Sequence, residues 1–433
     1  MSAPAVASLS CPQCGAAIEL RTLDQAQSVV CSSCGSILDA RDPNLALIQA
    51  FQAKQKFEPQ IPLGTRGTLK GEKWEVVGYQ VRSITVEGTS YYWDEYLLFN
   101  PYKGFRYLTQ YDGHWNDVQV VKAAPAETMS GGRPVVTLYG ETFKHFQTAT
   151  ATTEFVLGEF PWQVRVGDRA ETRDFVAPPR MLSEERTPDE TTWSLGTYMS
   201  GAQVWAAFSL PGKAPHARGV FANQPDDYKP RAGSLARRYL QFAAIVIVLG
   251  VLRLVTASRD TEFTTSSSFR PGALADSLAF VTPSFQLKGR TANLEVTTEA
   301  QVDNGWAYFD YALVNETTGQ TYEFGREVSY YYGRDSDGNW SEGSRRDRAV
   351  LPSVPSGSYF LRVQPEAQVP TDFLEYKITV RRDVPILFPY VAGLVLLAVP
   401  PLLVGLRAWG MERARWQESD YAPEDNSDDS DDD

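Results

Sequence analysis

The chain of 433 residues holds four cysteines, all within its first 34 positions: Cys11-Pro-Gln-Cys14-Gly15 and Cys31-Ser-Ser-Cys34-Gly35. Two CxxC pairs separated by residues 15–30 have the two-knuckle spacing of a four-thiolate metal site. Two thiolates two residues apart can reach one face of a tetrahedral ion. The glycine after each pair lets the chain turn so that backbone N–H groups point at sulfur. With every position taken by protein, none is left for water or substrate, so the expected ion is structural Zn2+, with iron as the competitor for an all-thiolate set. Two matched knuckles argue against a lone redox CxxC, and the reducing compartment inferred below argues against disulfides. The segment resembles a short bacterial zinc ribbon, a class that often mediates contacts and in some members binds nucleic acid. Its inter-knuckle loop has Arg21 against Glu19 and Asp24, so it carries no basic footprint and no nucleic-acid partner is expected.

No catalytic constellation accompanies the cysteines. His114, His145 and His216 are the three histidines, and none lies in an HExxH pair. Neither a GxSxG elbow nor a phosphate loop is present, since the Gly64, Gly67 and Gly71 turn lacks the required Lys and Ser. The densest acids are Asp94 and Glu95, with Glu184, Glu185, Asp189 and Glu190 in MLSEERTPDETTW. A hydrolase using Asp94 or Glu95 with His114 is the enzymatic alternative. Charges in a Pro- and Thr-rich stretch read instead as a solvated loop, and His114 between Gly113 and Trp115 as a turn residue. The expected catalytic residues are none.

Two apolar stretches must place these groups in space. Tyr239–Ala257 is 19 residues with one charge, Arg253, near its far end; Val384–Leu406 is 23 residues without a charge, interrupted by Pro400 and Pro401. A bilayer core needs roughly 20 apolar residues as a helix, and a long Arg at a span's end can snorkel. The expectation is two transmembrane helices, 239–257 and 384–406. Lys229, Arg231, Arg237 and Arg238 precede the first span, and only Arg259 and Arg270 follow it closely. The positive-inside rule then puts both termini in the cytoplasm of a bacterial inner membrane and residues 258–383 outside.

Between cysteines and first span lie residues 41–60, a helical connector in which Leu45, Ile48 and Phe51 recur at helical spacing, then a β-rich domain, 61–210, and a linker, 211–238. Trp74–Val86, Tyr91–Phe99 and Phe105–Thr109 read as strands broken by Gly88 and by Asn100-Pro-Tyr-Lys-Gly104. Pro134–Tyr139, Ala151–Leu157, Trp162–Val166, Thr192–Ser200 and Ala202–Phe208 continue the pattern, which suggests an antiparallel sheet or barrel. Gly64-Thr-Arg-Gly67, Trp74-Glu-Val-Val-Gly78, Tyr92-Trp-Asp-Glu-Tyr-Leu-Leu98, Gly158-Glu-Phe-Pro-Trp162 and Leu182-Ser-Glu-Glu185 resemble the bacterial family catalogued as domain of unknown function 4178, over roughly residues 60–210. That resemblance implies an architecture and no catalytic residues.

Residues 258–383 read as a second β-domain of six or seven strands, a β-sandwich closed by Ser358–Val363 and Phe373–Val380. Asp335-Ser-Asp-Gly-Asn339 reads as a tight turn rather than a calcium loop, its glycine being fourth instead of sixth. Net charge is −12, yet residues 418–433 alone hold nine acids and no base. The segment 407–433 is therefore expected to be an acidic, disordered tail. The fold class expected is mainly β: zinc ribbon, cytoplasmic antiparallel β-domain, and two membrane helices flanking an outer sandwich. The functional expectation is a non-enzymatic membrane scaffold or sensor whose partners are the bilayer and proteins on one or both sides. The rivals are the hydrolase and a nucleic-acid-binding ribbon.

Overall fold

In the computed structural model, residues 7–22, 25–50, 57–271, 279–336 and 338–422 are described. They form two units: residues 1–234 with 401–433, and residues 235–400.

The first unit is organised by strands whose tight turns are written in the sequence. Strands β1 (Ala7–Ser10) and β2 (Ala17–Leu20) make a hairpin, followed by β3 (Ser28–Val30), β4 (Ile37–Asp39) and β5 (Leu47–Gln49). Next come β6 (Arg66–Leu69), β7 (Glu72–Val86), β8 (Thr89–Asn100), β9 (Gly104–Tyr111) and β10 (His114–Val121). Glu87-Gly88 and Asp112-Gly113 both have positive φ at both positions, the two-residue hairpin geometry that matches strand twist. After the hairpin β11 (Ala126–Ser130) and β12 (Arg133–Leu138) come β13 (Glu141–Phe160), β14 (Arg169–Ala177), β15 (Arg180–Arg186) and β16 (Thr191–Ser200).

Two four-stranded meanders, β7–β10 and β13–β16, join at both edges. Strand β10 pairs antiparallel with β16 from His114↔Ser200 to Val121↔Trp193. Strand β13 pairs with β7 from Thr153↔Arg82 to Gly158↔Gly78. The result is a closed antiparallel barrel of eight strands. At that size the interior either fills with side chains or holds one small ligand.

Much of the apolar core lies outside this barrel. Val76, Tyr79, Val81, Tyr96, Leu98, Leu108 and Trp115 pack on Val204 and Phe208 of helix α1 (Gly201–Phe208). The residues of α1 were read as a strand. Ser200 instead caps a helix, its hydroxyl accepting from Gln203 N while Gln203 reaches back to the cap N–H, a capping box. On another outer face, Val136, Leu138 and Phe143 cover Phe175 and Leu182. At one end the interior itself is apolar: Val77, Leu97, Phe99, Val156, Phe160 and Val164 meet Val30 and Ile37.

The cysteine segment is continuous with the barrel, and the boundary expected at residue 40 is no break in packing. Strand β3 pairs with the end of β13, Gly158↔Val30 to Phe160↔Ser28. The buried Glu159 carboxylate accepts from Arg21 N at 2.7 Å, Thr22 N at 2.9 Å and Thr22 Oγ1 at 2.6 Å. The connector helix expected over 41–60 is corrected. Leu47–Gln49 is a strand paired with β4, reached through a turn with Leu45 at φ 53°. Asp39 and Asp42 accept backbone N–H groups from Arg41 and Asn44 in that turn, which competes with helix. Phe51 lies outside the described residues. Trp162–Val166 is also not a strand. Its backbone bonds side chains instead: Ser28 Oγ donates to Trp162 O, and Gln49 Oε1 accepts from Val166 N.

The expected linker 211–238 is partly built into the unit. Asn223 is fully buried and donates to Asn116 Oδ1 at 2.7 Å and Pro179 O at 3.2 Å. Helix α2 (Tyr228–Thr256) starts inside that stretch. The tail expected from 407 is helical to Trp416, as the end of helix α3 (Phe388–Trp416), and residues 417–422 are packed; residues 423–433 lie outside the described residues.

The second unit contains β17 (Asp260–Phe269), β18 (Phe280–Val281), β19 (Phe285–Leu287), β20 (Ala292–Ala300), β21 (Gly305–Asn315), β22 (Thr321–Asp335), β23 (Gly338–Ser344), β24 (Arg346–Val354), β25 (Gly357–Gln368) and β26 (Leu374–Arg382). One sheet runs β17-β26-β20-β24 and the other β18-β25-β21-β22-β23, with β19 also on β25. Inward residues of both, among them Val296, Ile378, Phe309, Leu313 and Leu361, share one core. Arg253, near the end of the first apolar stretch, is ion-paired: its Nη2 lies 2.7 Å from Asp383 Oδ1, just before α3.

Barrel closure has a steric test. Gly158 sits at φ +89°, and a Cβ there would stand 2.2 Å from the Val77 carbonyl oxygen, at the point where β13 passes from β7 to β3. Gly158→Ala should cost about 2 kcal/mol or more in chemical denaturation followed by circular dichroism. Gly140→Ala, at φ +79° with nothing within 4 Å of the added carbon, should cost only about 1 kcal/mol.

Candidate functional site

The two knuckles have the same backbone. Cys11 N donates to Ala16 O and Gly15 N to Cys11 O; Cys31 N donates to Ser36 O and Gly35 N to Cys31 O. Gly15 and Gly35 hold φ of 76° and 74°, which closes each turn. The four Sγ atoms lie within 4.8 Å of one another. Cys11 and Cys34 sulfurs are 3.8 Å apart, and Cys14 and Cys31 3.7 Å. Metal–sulfur bonds of ~2.3 Å at tetrahedral angles put sulfurs about 3.8 Å apart, so the donor set fits one ion. Burial pushes the Cys31 thiol up, whereas the Ser36 hydroxyl and backbone bring Cys34 down. Cys11, Cys14, Cys31 and Cys34 are thus brought together as a group that could hold a metal ion.

A second site was not legible as one. The barrel encloses a cavity of about 1050 Å³. Strand alternation sends every second side chain into it: Gln80 and Arg82 from β7, Trp93 and Glu95 from β8, Tyr107 and Thr109 from β9, Thr172 and Asp174 from β14, Ser183 and Glu185 from β15. Arg82 grips Glu185 with two hydrogen bonds, at 2.8 and 2.9 Å, and lies 3.7 Å from Glu95. Glu95 also accepts from Gln80 Nε2 at 2.6 Å and Trp93 Nε1 at 2.7 Å. Asp174 receives one hydrogen bond, from Ser183 Oγ at 2.6 Å. Burial, with Glu185 adding, pushes its carboxyl up to about 6 against the pull of Ser183 and Arg82.

These placements separate the groups proposed for acid–base work. Asp94 and Glu95 are neighbours on one strand and point to opposite faces. Asp94 accepts from Tyr79 OH at 2.7 Å, and burial raises its pKa. His114 starts β10, buried rather than at a turn tip. It uses one ring nitrogen on Tyr198 OH and the other on Arg218 O, and burial lowers its pKa. Neither nitrogen meets a carboxylate. Glu184 and Glu185, expected in a loop, belong to β15; Glu184 is buried against Arg173 and Arg186.

One end of the cavity is roofed by Phe221, Ala222 and residues 417–422. Arg415, 1% exposed, donates to the carbonyls of Phe221, Ala222 and Gln224 at 3.1, 2.7 and 2.8 Å. Asp420 N donates to Phe146 O and its carboxylate accepts from Thr148 N. Tyr421 OH meets His145 Nδ1 at 3.0 Å, and the Arg133 guanidinium lies 4.5 Å from the Trp416 ring and 3.6 Å from that of Tyr421. Residues 418–422, read from composition as part of a solvated tail, are this roof.

Residues 62–201 match the family described as Domain of unknown function (DUF4178). The matched stretch takes in all eight strands of the closed barrel and leaves out the cysteine segment, both long helices and the second unit. No curated protein matches the chain. Among solved structures it is similar to one of infectious bursal disease virus, Gt strain, at 11% identity and TM-score 0.16, over 83% of this chain and 63% of that one. It is similar to the mosquito-larvicidal Cry4Aa toxin of Bacillus thuringiensis at 8% identity and TM-score 0.17, over 75% of this chain and 54% of that one. The chain spans less than two thirds of either, and likenesses of this TM-score carry no argument.

The roof should respond to acid. Burial lowers the pKa of His145; Arg173 and Arg133 push it the same way, and Asp420 and Glu127 oppose them. A histidine kept neutral when docked binds its proton more readily when released, so docking is favoured at neutral pH and weakens as pH falls below its ordinary value of about 6.5. The hydrogen-exchange protection of residues 417–422, relative to the intrinsic rate at each pH, should fall between pH 7 and 5, and His145→Gln should flatten that dependence.

Proposed function

We propose that this is a non-enzymatic protein of the bacterial inner membrane with two spans, serving as a scaffold or sensor between a cytoplasmic zinc-ribbon barrel and an extracytoplasmic β-sandwich. The observation that carries the reading is the lack of protein cover on α2 and α3. In their most apolar stretches 11% and 0% of residues are buried, and Leu240, Phe242, Ile245, Val248 and Leu252 stay about half exposed or more. A core helix of a soluble protein would cover such a surface, and a contiguous apolar surface this large marks a membrane or a partner. The basic residues before the first span support cytoplasmic termini. That side keeps thiols reduced and so free to bind an ion. Zn2+ is the ion favoured by four thiolates at tetrahedral spacing. Its role would be structural, closing a segment too small to hold itself by packing.

A sensor role is supported by the continuity of α3, which carries the uncovered apolar stretch and ends in the roof of the barrel. The hydrolase alternative gains no support from Asp94, Glu95 and His114, each committed to other partners. A nucleic-acid role gains none from an acidic chain. Proteins on one or both sides of the membrane are the partners this reading calls for.

Two measurements test it. An alkaline phosphatase fused after Ser268 should be active and one fused after Ser430 inactive; activity at Ser430 would invert the topology. The purified chain should contain one zinc per molecule and Cys11→Ser almost none, with a lowered unfolding midpoint. A metal-free wild type whose stability Cys11→Ser leaves unchanged would refute the zinc reading.

A further inference from the structure

The lumen described above has a charge pattern that its own residues do not neutralise. Among the described residues two cations line it: Arg169, exposed at the start of β14, and Arg82, which Glu185 and Glu95 already flank. Asp174 accepts from the Ser183 hydroxyl and shares the one Arg82 charge with Glu185 and Glu95. At the edges Asp189 and Glu190 line the cavity and face solvent, so the lumen opens there past two further carboxylates. An acidic cleft with low-dielectric walls focuses field and concentrates cations. The aromatic side chains of Trp93, Tyr107 and Trp162 line the same space, Trp93 already lying under the Arg82 guanidinium, and such rings attract ammonium groups.

The carboxylates are spread along the walls rather than gathered at one point. Among the described residues, the group of three or more donors close enough to chelate a metal is the cysteine set, not any lumen acids. A single bare ion would therefore satisfy one wall and leave the others. A cavity of about 1050 Å³ lies near the upper end of volumes that hold small organic ligands.

We infer that the barrel lumen is a binding site for a small organic cation bearing primary ammonium groups, of the diamine and polyamine class, with Asp174 as the anchoring carboxylate and the aromatic walls facing its cationic and methylene portions. This goes beyond the membrane reading and does not depend on it, since the barrel would bind such a ligand on either side of a bilayer.

The test is isothermal titration of spermidine into the full-length protein in detergent, with magnesium chloride as a parallel titrant. The acidic segment 423–433 also attracts polyamines, so the lumen is read from variants that leave that segment intact. Saturable spermidine binding should fall at least tenfold in Asp174→Asn, a change of similar shape that creates no clash. It should be lost in Ala149→Trp, which fills the lumen. Thermal unfolding checks that each variant is folded, and if Ala149→Trp is not, Asp174→Asn decides alone. Magnesium should show no saturable site sensitive to Asp174. Absence of spermidine binding at millimolar concentration would overturn the inference. So would binding that folded Asp174→Asn leaves unchanged, or magnesium binding that depends on Asp174.

Discussion

The pairing of β13 with β7 is the interaction on which the first unit rests. A sheet of eight strands left open would present two edges, each a row of unpaired N–H and C=O groups. The bonds from Thr153↔Arg82 to Gly158↔Gly78 remove both edges at once. Closure also decides which face of each strand is inside. Val81 and Leu98 then pack outward under α1, and Arg82 and Glu95 turn inward. The same strand carries the cysteine segment, because β13 outlasts its partner β7 and offers its last residues to β3. Cysteine cluster, barrel floor and lumen are thus three consequences of one 20-residue strand.

A barrel with apolar packing largely outside and charge inside needs a device to keep its interior polar groups satisfied, because a buried ion without a partner is costly. Arg82 supplies it for two of the carboxylates. The arrangement differs from a core in which side chains fill the interior, and it leaves room. The apolar floor made by Leu97, Phe99 and Phe160 with the cysteine segment lies towards one end. The opposite end is closed by a peptide whose composition, rich in acids, gives no hint of docking.

What could be read from residues alone was local. The cysteine set was legible because four identical ligands in matched pairs have few other uses. The apolar helices were legible from length, and β7 to β9 from β-branched residues between turn signals. Closure was not, because Thr153 and Arg82 are far apart in sequence and backbone pairing leaves no side-chain signature. The lumen was missed for a related reason. In Ser183-Glu184-Glu185 alternation is present, but it says that two faces exist and not which is enclosed, so the acids were assigned to solvent. Short apolar runs deceived in both directions. Ala202–Phe208 resembled a strand, although Ser200 and Gln203 at capping-box spacing were a readable sign of helix. Leu45, Ile48 and Phe51 resembled a helix, although Asp39 and Asp42 were positioned to bond the backbone of a turn. The second unit has more strands than expected, in part because β23, exposed at almost every position, shows no apolar alternation, whereas β22 turns Tyr322, Phe324, Val328 and Tyr330 to the core.

The roof has a consequence for the order in which the molecule is made. The strands of the barrel leave the ribosome long before Arg415 and Tyr421, and both apolar helices are translated in between. Until the end of α3 has been made, Phe221, Ala222 and Gln224 do not have the Arg415 guanidinium to hold them. The newborn barrel consequently lacks its roof until the last turns of α3 have been made.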